Sequence, residues 1–119
     1  MFRKFFSTLI FVVLLPLTCL AGQPVEKEYP YVKFLGAAQS IGGSAILIDT
    51  GKTRFLIDYG LYYDKSDQGK NWKVLENLEK LNFVLLTHAH IDHSGRLPIL
   101  YRHGFKGPVI GTDATKDVT

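Results

Sequence analysis

The feature that most constrains this chain is a run of metal-ligating residue types directly after an apolar segment. Three of the four histidines, His88, His90 and His93, fall within six residues, and Asp92 lies among them. Residues 83–87 form a short apolar run that favours a β-strand. Neutral imidazole and carboxylate are suitable ligands for zinc and other first-row divalent ions. The order H-x-H-x-D-H therefore predicts a metal site at the point where a strand ends.

The spacing of these four residues says how they could be shared between ions. Alternate residues of an extended segment lie on one face, so His88 and His90 can point the same way. Asp92 and His93 are adjacent, and we expect them where the backbone turns into the next helix, facing a neighbouring point. Two such pairs indicate two metal ions that share a site. A histidine-rich surface loop is the simpler alternative, but four potential ligands at this spacing make it the weaker interpretation.

The stretch LLTHAHIDHSGRLP at residues 85–98 resembles the signature of the metallo-β-lactamase superfamily. The continuation, through GFKGPV at 104–109 to TDAT at 112–115, is similar to the β-CASP branch. That branch includes ribonuclease J and the endonuclease subunit of the eukaryotic mRNA-end cleavage factor. The resemblance implies an α/β (α+β) fold, the αββα sandwich. This chain would supply its first half, a mixed sheet with helices packed on one face.

The resemblance also implies ligands that lie later in the family's chains: a third histidine for the first metal, a bridging aspartate, and a further histidine for the second. The candidates after His93 are His103, Asp113 and Asp117, and each stands in the wrong context. We therefore interpret residues 31–119 as a truncated, partial metallo-β-lactamase domain.

The function implied by the resemblance is a zinc-dependent hydrolase that cleaves phosphodiester bonds of RNA, as an exo- or endoribonuclease. Two zinc ions would activate a bridging hydroxide. His88 and His90 would hold one ion, and Asp92 and His93 the other. RNA is the expected partner. Two alternatives stay open: another hydrolase of the superfamily, acting on a thioester, lactone or β-lactam, and a non-catalytic metal-binding fragment.

Asp58 is a further candidate because of its place in the chain. It ends the apolar run 54–58, and an aspartate there is by default a turn residue. In the family that the chain resembles, the first acidic motif falls at the end of this strand and supports the metal site, as partners of metal ligands do. Asp58 and Asp92 are therefore the candidate catalytic residues. His103 is placed outside the site, since a histidine in the last turn of a helix can interact with the helix dipole.

Residues 1–21 read as a signal peptide. Arg3 and Lys4 form a basic start, residues 9–15 are an unbroken apolar run, and the segment ends in Ala21. This predicts an exported protein, periplasmic or secreted, without stable membrane association after cleavage. The alternatives are a membrane anchor formed by residues 5–21 and a lipid-modified Cys19, which the bulky Thr18 before it disfavours. Residues 22–30 are polar, contain two prolines and are interpreted as a linker.

The net charge does not indicate a class of binding partner once the predicted leader is excluded. The whole chain has 14 basic and 11 acidic side chains. Removal of Arg3 and Lys4 leaves 12 basic and 11 acidic, so the charge pattern gives no footprint of a phosphate-binding surface. The single cysteine, Cys19, also belongs to the leader, so no thiolate ligand is expected in the mature chain.

Apolar periodicity and turn residues predict the remaining elements. Ser94 is expected to cap the helix that follows the metal-ligating stretch, and Asn71 to cap an amphipathic helix before it. The predicted elements are a first strand at 31–36, a hairpin of strands at 44–49 and 54–58, helices at 72–81 and 96–103, a last strand at 109–112, and the start of a helix at 113–119.

Overall fold

The structure is a computed structural model that describes residues 29–119. The predicted signal peptide at 1–21, its alternative as an anchor, and nearly all of the linker lie outside the described residues. Within residues 29–119, no helix is both long enough and apolar enough to span a bilayer.

A five-stranded mixed sheet, with the strands side by side in chain order, forms the centre of the fold. The first three strands are antiparallel neighbours, whereas the third, fourth and fifth run parallel. The predicted hairpin is confirmed, with a turn at Gly51 that has a positive φ of 80°. The strands are β1 (Tyr31–Gly36), β2 (Ala45–Asp49), β3 (Arg54–Ile57), β4 (Phe83–Leu85) and β5 (Val109–Ile110).

Three short α-helices follow the last two strands. Pro98 lies in the first turn of the second helix, where its missing N–H costs nothing, and Gly104 follows that helix with a φ of 97°. The helices are α1 (Ile91–Ser94), α2 (Leu97–Arg102) and α3 (Asp113–Asp117). The fold class is the one predicted, a mixed sheet with helices on one face.

The two faces of the sheet differ in how deeply their side chains are buried. Leu47, Leu56 and Val84 point to one face and are fully buried, in a cluster with Leu97 and Leu100 of α2. The opposite face, whose residues meet one another across the strand registers, is also apolar but only half-buried or exposed. It is formed by Val32, Phe34, Ile46, Ile48, Phe55, Ile57, Phe83, Leu85 and Ile110.

The predicted amphipathic helix over 72–81 is wrong. The chain forms two 3₁₀ turns instead, at Gln68–Trp72 and Leu78–Lys80, and Asn77 between them has a left-handed φ of 54°. Leu78 and Leu81 are nevertheless buried, as their spacing required. The apolar spacing thus reflects the need for burial, which turns and irregular backbone also meet.

The two capping predictions are wrong for a related reason. The Asn71 side chain is buried and bonds the backbone of Tyr62, accepting from its N–H at 2.8 Å and donating to its carbonyl at 3.1 Å. Ser94 Oγ donates to the carbonyls of Ala89 and His90, at 2.9 and 3.2 Å. Both side chains therefore hold neighbouring backbone rather than the first turn of a helix.

Candidate metal centre

The sheet brings the predicted site residues together at one edge. Because β3 and β4 are parallel neighbours with Ile57 opposite Leu85, their carboxyl ends lie side by side. Asp58 directly follows β3, and the backbone N–H of Asp58 donates to the carbonyl of Leu85 at 2.9 Å. The histidine-bearing segment follows β4. Polar side chains after two parallel strands meet at this edge, which is the usual place for ligand sites in open α/β sheets.

Backbone hydrogen bonds fix the loop that carries the candidate ligands. The N–H groups of Ser44 and Tyr59 donate to the carbonyls of Asp92 and His93, at 2.9 and 2.8 Å. The chain at Gly60 passes so close to the carbonyl of Asp92 that any Cβ there would collide with it. The ligand loop is thus held between the segment that enters β2 and the segment that leaves β3.

Asp58 is the centre of the hydrogen-bond network beneath the histidines. It is 2% exposed and has a φ of 60°, a left-handed conformation that is uncommon outside glycine. Its carboxylate accepts hydrogen bonds from the N–H of Thr87 at 2.9 Å, from the Thr87 hydroxyl at 2.9 and 3.0 Å, and from Ser44 Oγ at 3.4 Å. A strained backbone held by so many contacts is typical of functional positions.

The same carboxylate holds His93. Asp58 Oδ2 lies 2.7 Å from Nδ1 of His93. A carboxylate accepts, so Nδ1 of His93 carries the proton and its Nε2 keeps a free lone pair. Carboxylates that hold the second nitrogen of a metal-bound histidine in this way are a regular feature of zinc sites. The arrangement is the one expected if Asp58 supports the metal site.

His88 is oriented by Thr87. The Thr87 hydroxyl lies 2.9 Å from Nδ1 of His88. Because this hydroxyl has only one proton and faces both oxygens of Asp58, it donates to the carboxylate and accepts from the imidazole. His88, like His93, would then present Nε2 as its free nitrogen.

The four candidate ligands form one compact cluster. The ring centroid of His88 lies 4.8 Å from that of His90, its predicted partner, and 4.0 Å from that of His93, which belongs to the other pair. Nε2 of His93 lies 3.6 Å from Asp92 Oδ2, beyond hydrogen-bond distance. Across residues 29–119, no three histidine, cysteine or carboxylate side chains are arranged to enclose a metal ion. The ligand assignment therefore stays a prediction.

The donor types nevertheless fit a divalent metal. Zinc in proteins is commonly bound by imidazoles whose second nitrogen is hydrogen-bonded, and by carboxylates. His88 and His93 have such a bond at Nδ1, and the carboxylate of Asp92 is partly exposed beside them. His103, in contrast, is exposed at the end of α2, where sequence analysis had placed it outside the site.

Tyr63 is a neighbour of the cluster that sequence analysis missed. Its hydroxyl lies 3.5 Å from Asp92 Oδ1, and half of its side chain is exposed. Desolvation at this contact, together with the negative charge of Asp92, raises the pKa of the Tyr63 hydroxyl.

Ser44 and Thr87 were also missed as site residues. The sequence gives little indication of their role, because serine and threonine at the end of a strand are common and can form many kinds of hydrogen bond. Their contact with Asp58 appears only once the strands pair into the sheet.

Comparison with known proteins places the chain in a family. The metallo-beta-lactamase superfamily matches residues 40–116, which include the whole cluster, and the chain belongs to this superfamily. A solved B3 metallo-β-lactamase with an active-site glutamic acid has a TM-score of 0.53 and 25% identity to this chain. The match covers 77% of this chain and 34% of that one.

The curated relatives that the chain matches include ribonucleases and transcription termination factors. Ribonuclease TTHA0252 of Thermus thermophilus is 44% identical over 80 residues, 67% of this chain and 19% of that protein. Transcription termination factor FttA of Methanocaldococcus jannaschii is 40% identical over 89 residues, 73% of this chain and 14% of that protein. These relatives confirm the resemblance to the β-CASP branch. The chain spans less than a fifth of the length of either relative.

Proposed function

We propose that the full-length protein is a metal-dependent hydrolase that cleaves phosphodiester bonds of RNA. One observation carries the proposal: the H-x-H-x-D-H cluster lies at the carboxyl ends of two parallel strands and is held there by the buried Asp58. The similarity to a ribonuclease, at 44% identity, indicates RNA as the substrate class.

Zinc is the proposed cofactor, with His88 and His90 holding one ion and Asp92 and His93 a second. When bound, such ions supply an activated water and neutralise the charge that develops on the phosphate. Imidazole and carboxylate donors suit zinc, and the fold is one whose members use metal ions.

The chain's own residues orient the site. Asp58 keeps the proton of His93 on Nδ1, and Thr87 does the same for His88, so both rings keep Nε2 as the free nitrogen. Asp92 is partly exposed, and its two oxygens lie 3.6 Å from His93 Nε2 and 3.5 Å from the Tyr63 hydroxyl. The rings are thus positioned before a ligand arrives, which lowers the cost of ordering them.

The test is cleavage of a labelled RNA by the full-length protein. We expect turnover that is lost on chelation, restored by zinc, and abolished by His90→Ala. His103→Ala is the matched control, because it removes a histidine that lies outside the cluster, and it should keep normal activity. Turnover that survives chelation and His90→Ala would contradict the proposal.

A second candidate is hydrolysis of a thioester, lactone or β-lactam. Similarity to the B3 metallo-β-lactamase structure, at a TM-score of 0.53, favours it, as does the predicted export. Parallel assays of the same preparation with a β-lactam, a lactone and a thioester separate the two. Turnover of one of these substrates with RNA left intact would select this candidate instead.

A further inference from the structure

A cavity of about 210 Å³ lies beside the covered face of the sheet, under residues 73–77. None of the candidate metal ligands lines it. Its charged lining residues are four basic side chains and a single acidic one: Lys33, Arg54, Lys73, Arg96 and Glu76. We refer to this space as the arginine cavity.

Arg96 is the most deeply buried of these cations, at 4% exposure. Its Nε donates to the carbonyl of Gly60 at 2.5 Å and its Nη1 to the carbonyl of Lys70 at 3.3 Å. The guanidinium lies 4.1 Å over the ring of Tyr59. These partners hold the side chain, but none is a carboxylate, so the charge of Arg96 has no counter-ion in the described part of the chain.

Arg54 is also buried, at 8% exposure. Its Nη2 donates to the carbonyl of Glu76 at 3.1 Å. Its Nε lies 3.9 Å from Asp49 Oδ2, close enough for an ion pair but too far for a hydrogen bond. Asp49 therefore balances the charge of Arg54 without using its Nε–H group.

Each arginine keeps one nitrogen without a hydrogen-bond partner. These atoms are Nε of Arg54 and Nη2 of Arg96, and among residues 29–119 no other buried side-chain nitrogen or oxygen lacks a partner. Buried polar groups in proteins are nearly always paired, so an exception calls for an explanation. Both exceptions belong to residues that line the same cavity, and because each atom has less than 1 Å² of accessible surface, an occupant would reach it only after the side chain shifts.

We propose that the arginine cavity binds a phosphate group. Phosphate oxygens accept hydrogen bonds from guanidinium groups, and the negative charge would balance Arg96. Lys33 and Lys73 would add to the attraction from the rim. The volume is below the range of about 300–1,000 Å³ that drug-sized ligands occupy, so it suits a phosphate ion or a phosphoryl end rather than a whole nucleotide.

Ordered water is the alternative occupant, because water also accepts from N–H groups. Water in the cavity would leave the charge of Arg96 unbalanced. A purely structural role for the arginines predicts no saturable binding of an anion. The two explanations therefore differ in a measurable way.

The experiment is a calorimetric titration of the full-length protein with inorganic phosphate. A chelator is present throughout, so that no metal-dependent phosphate binding contributes. We expect saturable binding and a melting temperature that rises with phosphate concentration. Acetate should bind more weakly, and a 5′-mononucleotide arm distinguishes free phosphate from a phosphoryl end as the natural source.

Substitutions of the lining residues test whether phosphate binds in the arginine cavity. Lys33→Gln and Lys73→Gln should each weaken phosphate binding roughly two- to fivefold, as expected for exposed charges. Arg96→Lys should weaken it more than roughly tenfold, since lysine lacks the guanidinium fork. Lys52→Gln, in the exposed β2–β3 turn, should bind as the wild type does.

The two lysine variants keep the proposal testable if Arg96→Lys fails to fold, because both lysines are exposed. Absence of saturable binding to the wild-type full-length protein would overturn the proposal. So would an equal loss in Lys52→Gln, since binding would then follow net charge rather than the cavity.

Discussion

Nδ1 of His93 and Oδ2 of Asp58 are separated by 2.7 Å, and this hydrogen bond ties the end of β3 to the loop after β4. The two residues are 35 positions apart in the chain. Their contact depends on the parallel pairing of the two strands, so the sheet itself sets the orientation of the imidazole. Folding and the orientation of His93 are therefore linked through this pair.

The first prediction concerns the charge of Asp58. Asp58→Asn should lower zinc affinity of the full-length protein by roughly 10- to 100-fold, because the amide no longer fixes His93 with a negative acceptor. The measurement is a competition titration with a chromogenic chelator. Asp64→Asn is the matched control, since Asp64 is exposed, and it should keep wild-type affinity. Equal affinity of the two variants would show that Asp58 does not support the site.

The second prediction concerns the Thr87 hydroxyl. In Thr87→Val the isosteric side chain can neither accept from His88 Nδ1 nor donate to Asp58, so His88 should lose its preference for the Nδ1–H tautomer. Thr87→Ser keeps the hydroxyl and should keep the tautomer. Long-range proton–nitrogen correlation spectra of metal-free protein labelled with ¹⁵N-histidine report the tautomer directly.

His103 is the internal reference for that experiment, because it is an exposed histidine outside the network. A His88 spectrum that resembles that of His103 in the wild type would contradict the assignment. So would a spectrum that is the same in the valine and serine variants.

The third prediction tests the metal ligands one at a time. In the full-length protein, His88→Ala and Asp92→Ala should each reduce bound zinc and turnover, because each removes a proposed ligand. His103→Ala should leave the zinc content unchanged. Metal analysis of dialysed protein by mass spectrometry gives the stoichiometry. Equal zinc loss in all three variants would show that the ligand assignment is wrong.

Part of this architecture could be predicted from short patterns in the sequence. The β2–β3 hairpin followed from two apolar runs around Gly51, and the cluster from the spacing of His88 to His93. The sheet class followed from the order of these elements and from the resemblance. In each case the deciding interactions lie close together in the chain.

The predictions that failed, or that could not be made, depend on contacts between distant segments. Asn71 bonds Tyr62 rather than a helix, and Asn77 adopts a left-handed conformation, so the periodic segment does not form an α-helix. Thr87 gains its role only when β4 lies beside β3 and brings its hydroxyl to Asp58. Periodicity reports burial, and it does not report which polar partner a side chain meets.

The fourth prediction concerns export. The basic start at Arg3 and Lys4 and the apolar run that follows indicate cleavage after Ala21 or Gly22. Intact mass of protein recovered from the host envelope should lack the leader. A charge variant that reverses Arg3 and Lys4 to glutamate should slow processing. Recovery of the whole chain from the membrane would support the alternative, an anchor formed by residues 5–21.

The last prediction is that this chain, expressed as residues 22–119, does not cleave RNA. The cluster offers four donors, two for each proposed ion, whereas a catalytic zinc usually has three protein ligands and a water. Both ions should therefore be held weakly. The apolar face that carries Phe55 and Phe83, whose rings stack at 4.8 Å, is only half covered among the described residues. Exposed apolar patches of this kind favour aggregation.

Three measurements check it: solubility, zinc affinity and turnover of a labelled RNA. We expect poor solubility, weak zinc binding and no metal-dependent cleavage, with the full-length protein as the positive control. Clean, chelator-sensitive cleavage by purified 22–119, abolished by His90→Ala, would contradict the prediction. Such a result would mean that the site is completed in another way, and a second copy of the chain, packed sheet to sheet, would supply both the cover and the further ligands. Sedimentation of the active material would then reveal a dimer.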